Sequence, residues 1–256
     1  MSAAGSNDRR RRTAFVTGGA SGIGAAIAAA LAGGGYDVAV SARQPERLAA
    51  TLKQIEDAGA RAIPVALNLC SLASIEAAAA GVLGAFGQVD VLVNNAGATL
   101  RKAALEVTAD EWESVMQPDL KGTFFLCQKA ALRMIERGTP GSIVNIASTH
   151  GMVAFPERSV YGIAKAALIH MTRMLAIEWA EHGIRVNAIA PGTVETPSRA
   201  ATLADPKVRQ MMLDRVPLGR FATAQEVADA VCFLASPAAA FVTGHTLVLD
   251  GGLTAY

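Results

Sequence analysis

Cysteine is scarce, at 3 in 256 residues. Cys70, Cys127 and Cys232 are odd in number and far apart, which excludes a disulfide framework and CxxC metal or redox sites, so they read as small core residues. An excess of one charge is missing too. The 23 basic and 22 acidic side chains leave a formal net charge of +1, so no electrostatic pull toward nucleic acid or an anionic membrane is expected. No uninterrupted apolar run reaches the roughly 18 residues of a membrane-spanning helix, and the opening MSAAGSNDRRRR has no apolar core like that of a secretory signal. The expectation is a soluble, cytoplasmic protein without a membrane partner. His150, His170, His182 and His245 do not fall at ligand spacing, so no metal is expected. Charged residues make up only 18% of the chain, against about 25% in an ordinary domain. With 52 alanines present, disorder is excluded, and a buried subunit interface would explain the thin charge.

What is present is alternation. From Thr13 onward, short apolar runs at 13–17, 37–42, 61–67, 90–95, 142–148, 184–190 and 245–250 read as strands apolar on both faces, as parallel strands covered by helices are. Helical patterns lie between them: Ile23, Ile27 and Leu31; Leu48, Leu52 and Ile55; a long segment at 110–136; then 160–181 and 224–235. Pro118 inside the long segment removes a hydrogen bond and crowds the carbonyl of Ser114, which predicts a kink. No linker or repeat interrupts the pattern. It predicts one doubly wound α/β domain over 13–256 with a seven-stranded parallel sheet, after a solvated basic leader at 1–12.

The first strand runs into TGGASGIG, whose Gly18, Gly22 and Gly24 permit a tight turn, close approach of a pyrophosphate and a helix N-terminus that attracts anions. NNAG follows the fourth strand at 94–97. Ser148 ends the fifth, and YGIAK supplies Tyr161 and Lys165 thirteen residues later. With only 3 tyrosines in the chain, a YxxxK pattern in that place is hard to obtain by chance. PGTVET follows the sixth strand, and the chain closes through GRFATAQEVADAVCFLAS and FVTGHTLVLDGG. These motifs, in this order over nearly the whole chain, resemble the short-chain dehydrogenase/reductase family. Within it the chain looks similar to the 3-oxoacyl-carrier-protein reductases and the gluconate 5-dehydrogenases.

Residue chemistry agrees with that resemblance. Tyr161 and Lys165 are i and i+4 on one helix and project to one side. An ammonium beside a phenol favours its ionised form, which suits Tyr161 to general acid/base work. The resemblance implies that Lys165 also holds the nicotinamide ribose and that Ser148 hydrogen-bonds the substrate oxygen. It places a fourth catalytic residue, an asparagine in NLKGTF, where this chain has Asp119 in PDLKGTF. There the family uses a backbone carbonyl at a helix kink to hold a water, which an aspartate can retain, while its carboxylate brings charge toward Lys165.

The resemblance assigns the nucleotide to Gly18, Ser21, Gly22, Ile23 and Gly24 in the glycine turn, and to Asn95, Ala96 and Gly97 after the fourth strand. It adds Pro191, Gly192, Val194 and Thr196, together with Tyr161 and Lys165. At the end of the second strand, Ser41, Ala42 and Arg43 stand where an acidic residue would hold the ribose of NAD. Arg43 is open to two readings: charge-assisted bonds to a 2′-phosphate, which favours NADP, or stacking on adenine, which leaves NAD as the alternative. Asn68 stands where the family often touches adenine with an aspartate. The segments 149–158 and 193–216 are expected to shape the substrate pocket. Arg101 and Lys102 are open to two readings, solvated loop cations or contacts for an acidic substrate, and Phe155, Met174, Trp112 and Trp179 read as core or interface. The expected activity is hydride transfer between nicotinamide and a small carbonyl or secondary alcohol, a 3-oxoacyl or related keto compound, in a homotetramer. The alternatives are a sugar-acid or polyol dehydrogenase and a non-catalytic dinucleotide-binding scaffold.

Overall fold

The apolar runs become strands because side chains on both faces find a helix layer to pack against. The computed structural model describes residues 11–255, so the expected leader lies almost wholly outside the described residues. Arg11 and Arg12 are tied to the fold: Arg11 pairs with Asp37 at 3.2 Å, and Arg12 lies over the Tyr36 ring at 4.4 Å.

The large sheet contains β1 (Arg12–Val16), β2 (Tyr36–Ala42), β3 (Ala62–Ala66), β4 (Val91–Asn94), β5 (Gly141–Ile146) and β6 (Ile184–Pro191). After a two-residue pair, β7 (Val194–Glu195) and β8 (Ala222–Thr223), its seventh strand is β9 (Thr246–Leu249). The order is β3-β2-β1-β4-β5-β6-β9, parallel throughout. The chain winds outward from β1 to β3, then returns to place β4 on the other side of β1. That reversal opens a crevice beyond the carboxyl ends of β1 and β4, where doubly wound folds bind their ligands.

Helices α1 (Gly22–Gly33), α2 (Ala49–Asp57) and α9 (Ala224–Ala235) cover one face, burying Ile27, Leu31, Ile55, Val227 and Val231. On the other lie α3 (Leu72–Phe86), α5 (Thr123–Glu136) and α6 (Ser159–Trp179), with Ile75, Val82, Leu126, Met134 and Leu168 in the core. Helix α3 belongs to no helical pattern read from the sequence. Its alanines blur the contrast between faces on which periodicity depends.

The segment expected to be one long helix is divided. Helix α4 (Ala109–Met116), started by a Thr108–Glu111 capping box, gives way to a π-helical turn over Gln117–Gly122 before α5 begins. The kink expected at Pro118 therefore takes the form of an inserted wider turn, in which the Thr123 hydroxyl donates to the Pro118 carbonyl at 3.0 Å. Two short helices, α7 (Ala200–Leu203) and α8 (Pro206–Leu213), form the excursion between β7 and β8. The cysteines are not all core residues: Cys127 is buried, Cys232 half-buried and Cys70 exposed.

Candidate active site

Three loop connections at the carboxyl end of the sheet build the site. The turns after β1 and β4 are tied by Thr17, whose hydroxyl accepts the N–H groups of Asn95 and Ala96 at 3.0 Å each. The Asn95 amide donates to the carbonyls of Thr17 and Gly18, both at 3.0 Å, so its two protons are spent holding the glycine turn. Gly18 has φ +69, and a Cβ there would sit 2.8 Å from the Ala96 backbone; one at Gly24 would collide with the Gly18 carbonyl. This close packing needs glycine at both positions. Ser21 is extended, and its hydroxyl leaves the first turn of α1 uncapped. The N–H groups there are donors for an anion.

Beneath the carboxyl ends of the strands runs a buried polar chain. Asn94 donates to Asn145 at 2.8 Å, and Asn145 to the Thr172 hydroxyl on α6 at 2.9 Å. It fixes α6 against β4 and β5, because any break would strand buried polar groups.

Beyond β5, Ser148 caps the short turn Thr149–Gly151. Its Oγ accepts from the His150 N–H at 3.2 Å and lies 3.3 Å from His150 Nδ1. The turn rests on α6 through two glycines. A Cβ at Gly151 would sit 2.7 Å from the Lys165 backbone, and one at Gly162 would sit 2.9 Å from the His150 carbonyl. Ser148 is thereby held beside Tyr161, whose ring centroid is 5.7 Å from that of His150. Burial, with Arg158, Arg199 and Arg215, pushes the imidazole down to about 4. It is neutral at physiological pH.

Lys165 is almost fully buried. Its ammonium donates to the Ile146 carbonyl at 3.2 Å, lies 5.6 Å from the Tyr161 ring centroid and pairs with Asp119 Oδ2 at 2.9 Å. The other carboxylate oxygen accepts the Ala98 N–H at 2.5 Å. Gly97 leaves room for it, since a Cβ there would meet both oxygens at 2.9 Å. Asp119 thus acts through its side chain, clamping the loop after β4 to Lys165. The charge expected near Lys165 is there as a direct ion pair, and the clamp on the Ala98 N–H is the part that the sequence did not show. Burial opposes the Lys165 charge, but the Asp119 carboxylate and the Tyr161 oxygen outweigh it and hold the ammonium above its ordinary pKa.

A cleft of about 250 Å³ brings these groups together. Ser148, Tyr161, Lys165 and Asp119 line one side; Ser21, Gly22, Ile23 and Gly24 line another; Pro191, Gly192, Val194 and Thr196 close it. A second hollow, of about 470 Å³, shares Ser21, Asn95 and Gly97 with the first and adds Gly18, Ala96, Asn68 and Arg43. Every residue expected at the site from sequence lines one of the two hollows.

Arg47, which the sequence reading missed, also lines the second hollow. It lies four residues after Arg43, inside the short turn Pro45–Leu48. A pair of basic residues at that spacing was the available signal. No aspartate or glutamate is among the described residues lining this hollow. Narrow glycine cradle and uncapped helix start together fit a dinucleotide, and Arg43 and Arg47 stand at the end of the hollow where its adenosine half would lie.

Arg101 and Lys102 are not free solvated cations: they pair with Glu157 at 2.7 Å and Glu111 at 2.8 Å. Phe155, expected in core or interface, instead lines a third hollow beside the catalytic cleft.

Residues 18–254 match the profile of the family described as Enoyl-(Acyl carrier protein) reductase. The chain is 44% identical over 247 residues to cis-4-hydroxycyclohexanecarboxylate dehydrogenase of Sinomonas cyclohexanicum, covering 95% of this chain and 97% of that one. It is 37% identical over 243 residues to the 3-oxoacyl-[acyl-carrier-protein] reductase of Staphylococcus aureus, with 94% and 98% covered. The fold superposes on an actinorhodin polyketide ketoreductase solved with NADPH at a TM-score of 0.90, with 38% identity and 96% and 98% of the two chains covered.

Proposed function

This chain belongs to the short-chain dehydrogenase/reductase family and is an oxidoreductase, and from that premise we propose that it uses NADP(H) to interconvert a ketone and a secondary alcohol, with Tyr161 carrying the proton. The observation that carries the reading is the convergence of Ser148, Tyr161 and Lys165 on the cleft that the glycine turn also lines. Bound nicotinamide supplies the hydride acceptor or donor for the carbinol carbon.

The chain's own residues do the rest. The Ser148 hydroxyl donates to the substrate oxygen, a role helped when neutral His150 donates from Nδ1 and leaves the serine proton free. Tyr161 takes the hydroxyl proton during oxidation and returns it during reduction. The Lys165 ammonium stabilises the phenolate between these steps, and Asp119 balances a charge that would otherwise sit uncompensated in the interior. Arg43 and Arg47 hold the 2′-phosphate that distinguishes NADP from NAD. Keto compounds of the 3-oxoacyl or sugar-acid kind are the substrates of this reading, and its assembly is a homotetramer.

Tyr161→Phe tests it, because the change deletes one hydroxyl and little packing surface. Oxidation of NADPH with a panel of carbonyl compounds should vanish in the variant, while NADPH affinity measured by fluorescence titration stays near wild type. Retention of more than about a few per cent of the turnover would remove Tyr161 from this role.

A further inference from the structure

Beside the catalytic cleft lies a third hollow, of about 200 Å³, which shares Gly192 and Arg199 with it. A cavity of about 150 Å³ holds a benzene molecule, so this one has room for a small ring or a short chain. Phe155, Val208, Met211 and Met212 make its walls apolar. Four guanidinium side chains also line it, those of Arg101, Arg158, Arg199 and Arg215, and no aspartate or glutamate is among its described lining residues.

Arg101 is neutralised by Glu157 at 2.7 Å. The other three have no carboxylate partner among the described residues. Arg158 donates only to the Leu100 carbonyl at 3.3 Å, and Arg215 lies over the Phe155 ring at 4.8 Å. Three cations therefore line one small, largely apolar chamber with no carboxylate within ion-pairing distance among the described residues, Glu157 acting on Arg158 only from farther away. Burial, then Arg199 and Arg101, weaken the hold of Arg158 on its proton, and the same chamber keeps His150 neutral. Such a grouping costs stability through mutual repulsion, and an anion placed among the three relieves it. Guanidinium forks match carboxylates in two-point fashion.

We propose that this hollow is a carboxylate subsite: the substrate is a small organic acid whose ketone or alcohol meets Ser148 and Tyr161 while its carboxylate is held by Arg158, Arg199 and Arg215. This deepens the oxidoreductase reading and rests on it for the identity of the reacting end. The apolar walls take the hydrocarbon between the two polar ends, and His150 stands at the junction, 3.3 Å from Ser148 Oγ and facing Phe155 at a ring-centroid distance of 5.6 Å.

Binding of inert acids separates the subsite from catalysis. Cyclohexanecarboxylate, hexanoate and benzoate are each titrated calorimetrically against their own amides, on the full chain with NADPH present. For at least one pair the acid should bind tenfold or more tightly than its amide. In Arg158→Gln, Arg199→Gln and Arg215→Gln the acid-to-amide ratio should fall by about ten- to a hundredfold, the worth of one charge-assisted bond. The ratio within one variant cancels any general loss of folding. Equal binding of acid and amide in all three pairs, or a ratio that none of the substitutions lowers, overturns the proposal. Turnover of 4-oxocyclohexanecarboxylate is followed in parallel. A preserved acid preference without turnover of any carbonyl strikes the oxidoreductase reading and supports the subsite, whereas turnover of neutral ketones without acid preference does the reverse.

Discussion

Asp119 shows how one carboxylate changes the electrostatics of a buried lysine. Its pairing with Lys165 at 2.9 Å raises the lysine above its ordinary value near 10.5. A cation whose folded pKa is raised lends stability that is fully present below the unfolded value and is lost as pH climbs through the folded one. In Asp119→Asn the amide oxygen can still accept the Ala98 N–H, but Lys165 loses its counterion. Breaking a buried pair in this way costs up to about 3–5 kcal/mol. Urea denaturation at pH 7 should show that loss, and the gap from wild type should narrow above pH ~10.5. The alkaline fall in activity, where Lys165 deprotonates, should move to lower pH in the variant. Superimposable denaturation and pH curves would mean that the carboxylate does not support the charge. Arg43 can be tested in the same way. Arg43→Ala should weaken NADPH by about ten- to a hundredfold and NADH far less, since a lost charge-assisted bond is worth about 1.5–3 kcal/mol; equal losses in fluorescence titration would leave stacking on adenine as its role. Ser148, Tyr161 and Lys165 were legible in sequence because order and spacing declare them. Charge from Asp119 near Lys165 was legible too, but its clamp on the Ala98 N–H was not, because that depends on how the π-helical turn aims the side chain.

Elements carry the second kind of information, the distances between motifs. Most strands fall within a residue or two of the apolar runs, because parallel strands buried on both faces write a continuous apolar signal. Helix α3 and the π-helical turn escaped: one is too alanine-rich to show a face, and the other changes the helical period only locally. Also invisible was the contact that sets the Ser148 to Tyr161 spacing, the Thr149–Gly151 turn seated on α6. Gly151 has no positive φ to betray it; what requires glycine is the Lys165 backbone, 2.7 Å from where a Cβ would stand. Gly151→Ala should push the turn off α6, cost about 1–3 kcal/mol as an overpacked contact does, and lower kcat by more than tenfold by separating Ser148 from Tyr161. Urea titration and steady-state kinetics measure the two effects. Wild-type kcat would show that the turn tolerates the added methyl group without moving the serine.

At the scale of the whole molecule, the three core clusters of the described residues form within one chain, yet large apolar side chains remain outside them. Ile177 on α6 is 80% exposed, and Met174, Ile163, Leu132 and Phe124 on α5 and α6 are also exposed. Helix α6 meets the length and composition of a membrane span, but it carries Tyr161 and Lys165 and packs its buried half into the sheet's own core. Phe233 on α9 and Phe241 are exposed as well, and β9 is an edge strand whose one neighbour in the described sheet is β6. Large exposed apolar side chains grouped on one pair of helices suit an interface, and an open strand edge is usually covered. If each patch pairs with its own copy, the two generate two kinds of twofold contact, and two twofold contacts close the proposed tetramer with dihedral symmetry. The low charge content points the same way. Light scattering at micromolar concentration should give four times the 26.4 kDa chain mass. Ile177→Glu should reduce it to a dimer, because it places a charge in the α5/α6 contact and leaves the β9 contact intact; the substituted side chain is mostly solvent-facing within the chain, so the unfolding midpoint of the subunit should change little beyond the loss of assembly. A wild-type chain that scatters as a monomer would leave both patches without an occupant and refute the tetramer. A variant that remains tetrameric would move the first interface away from Ile177.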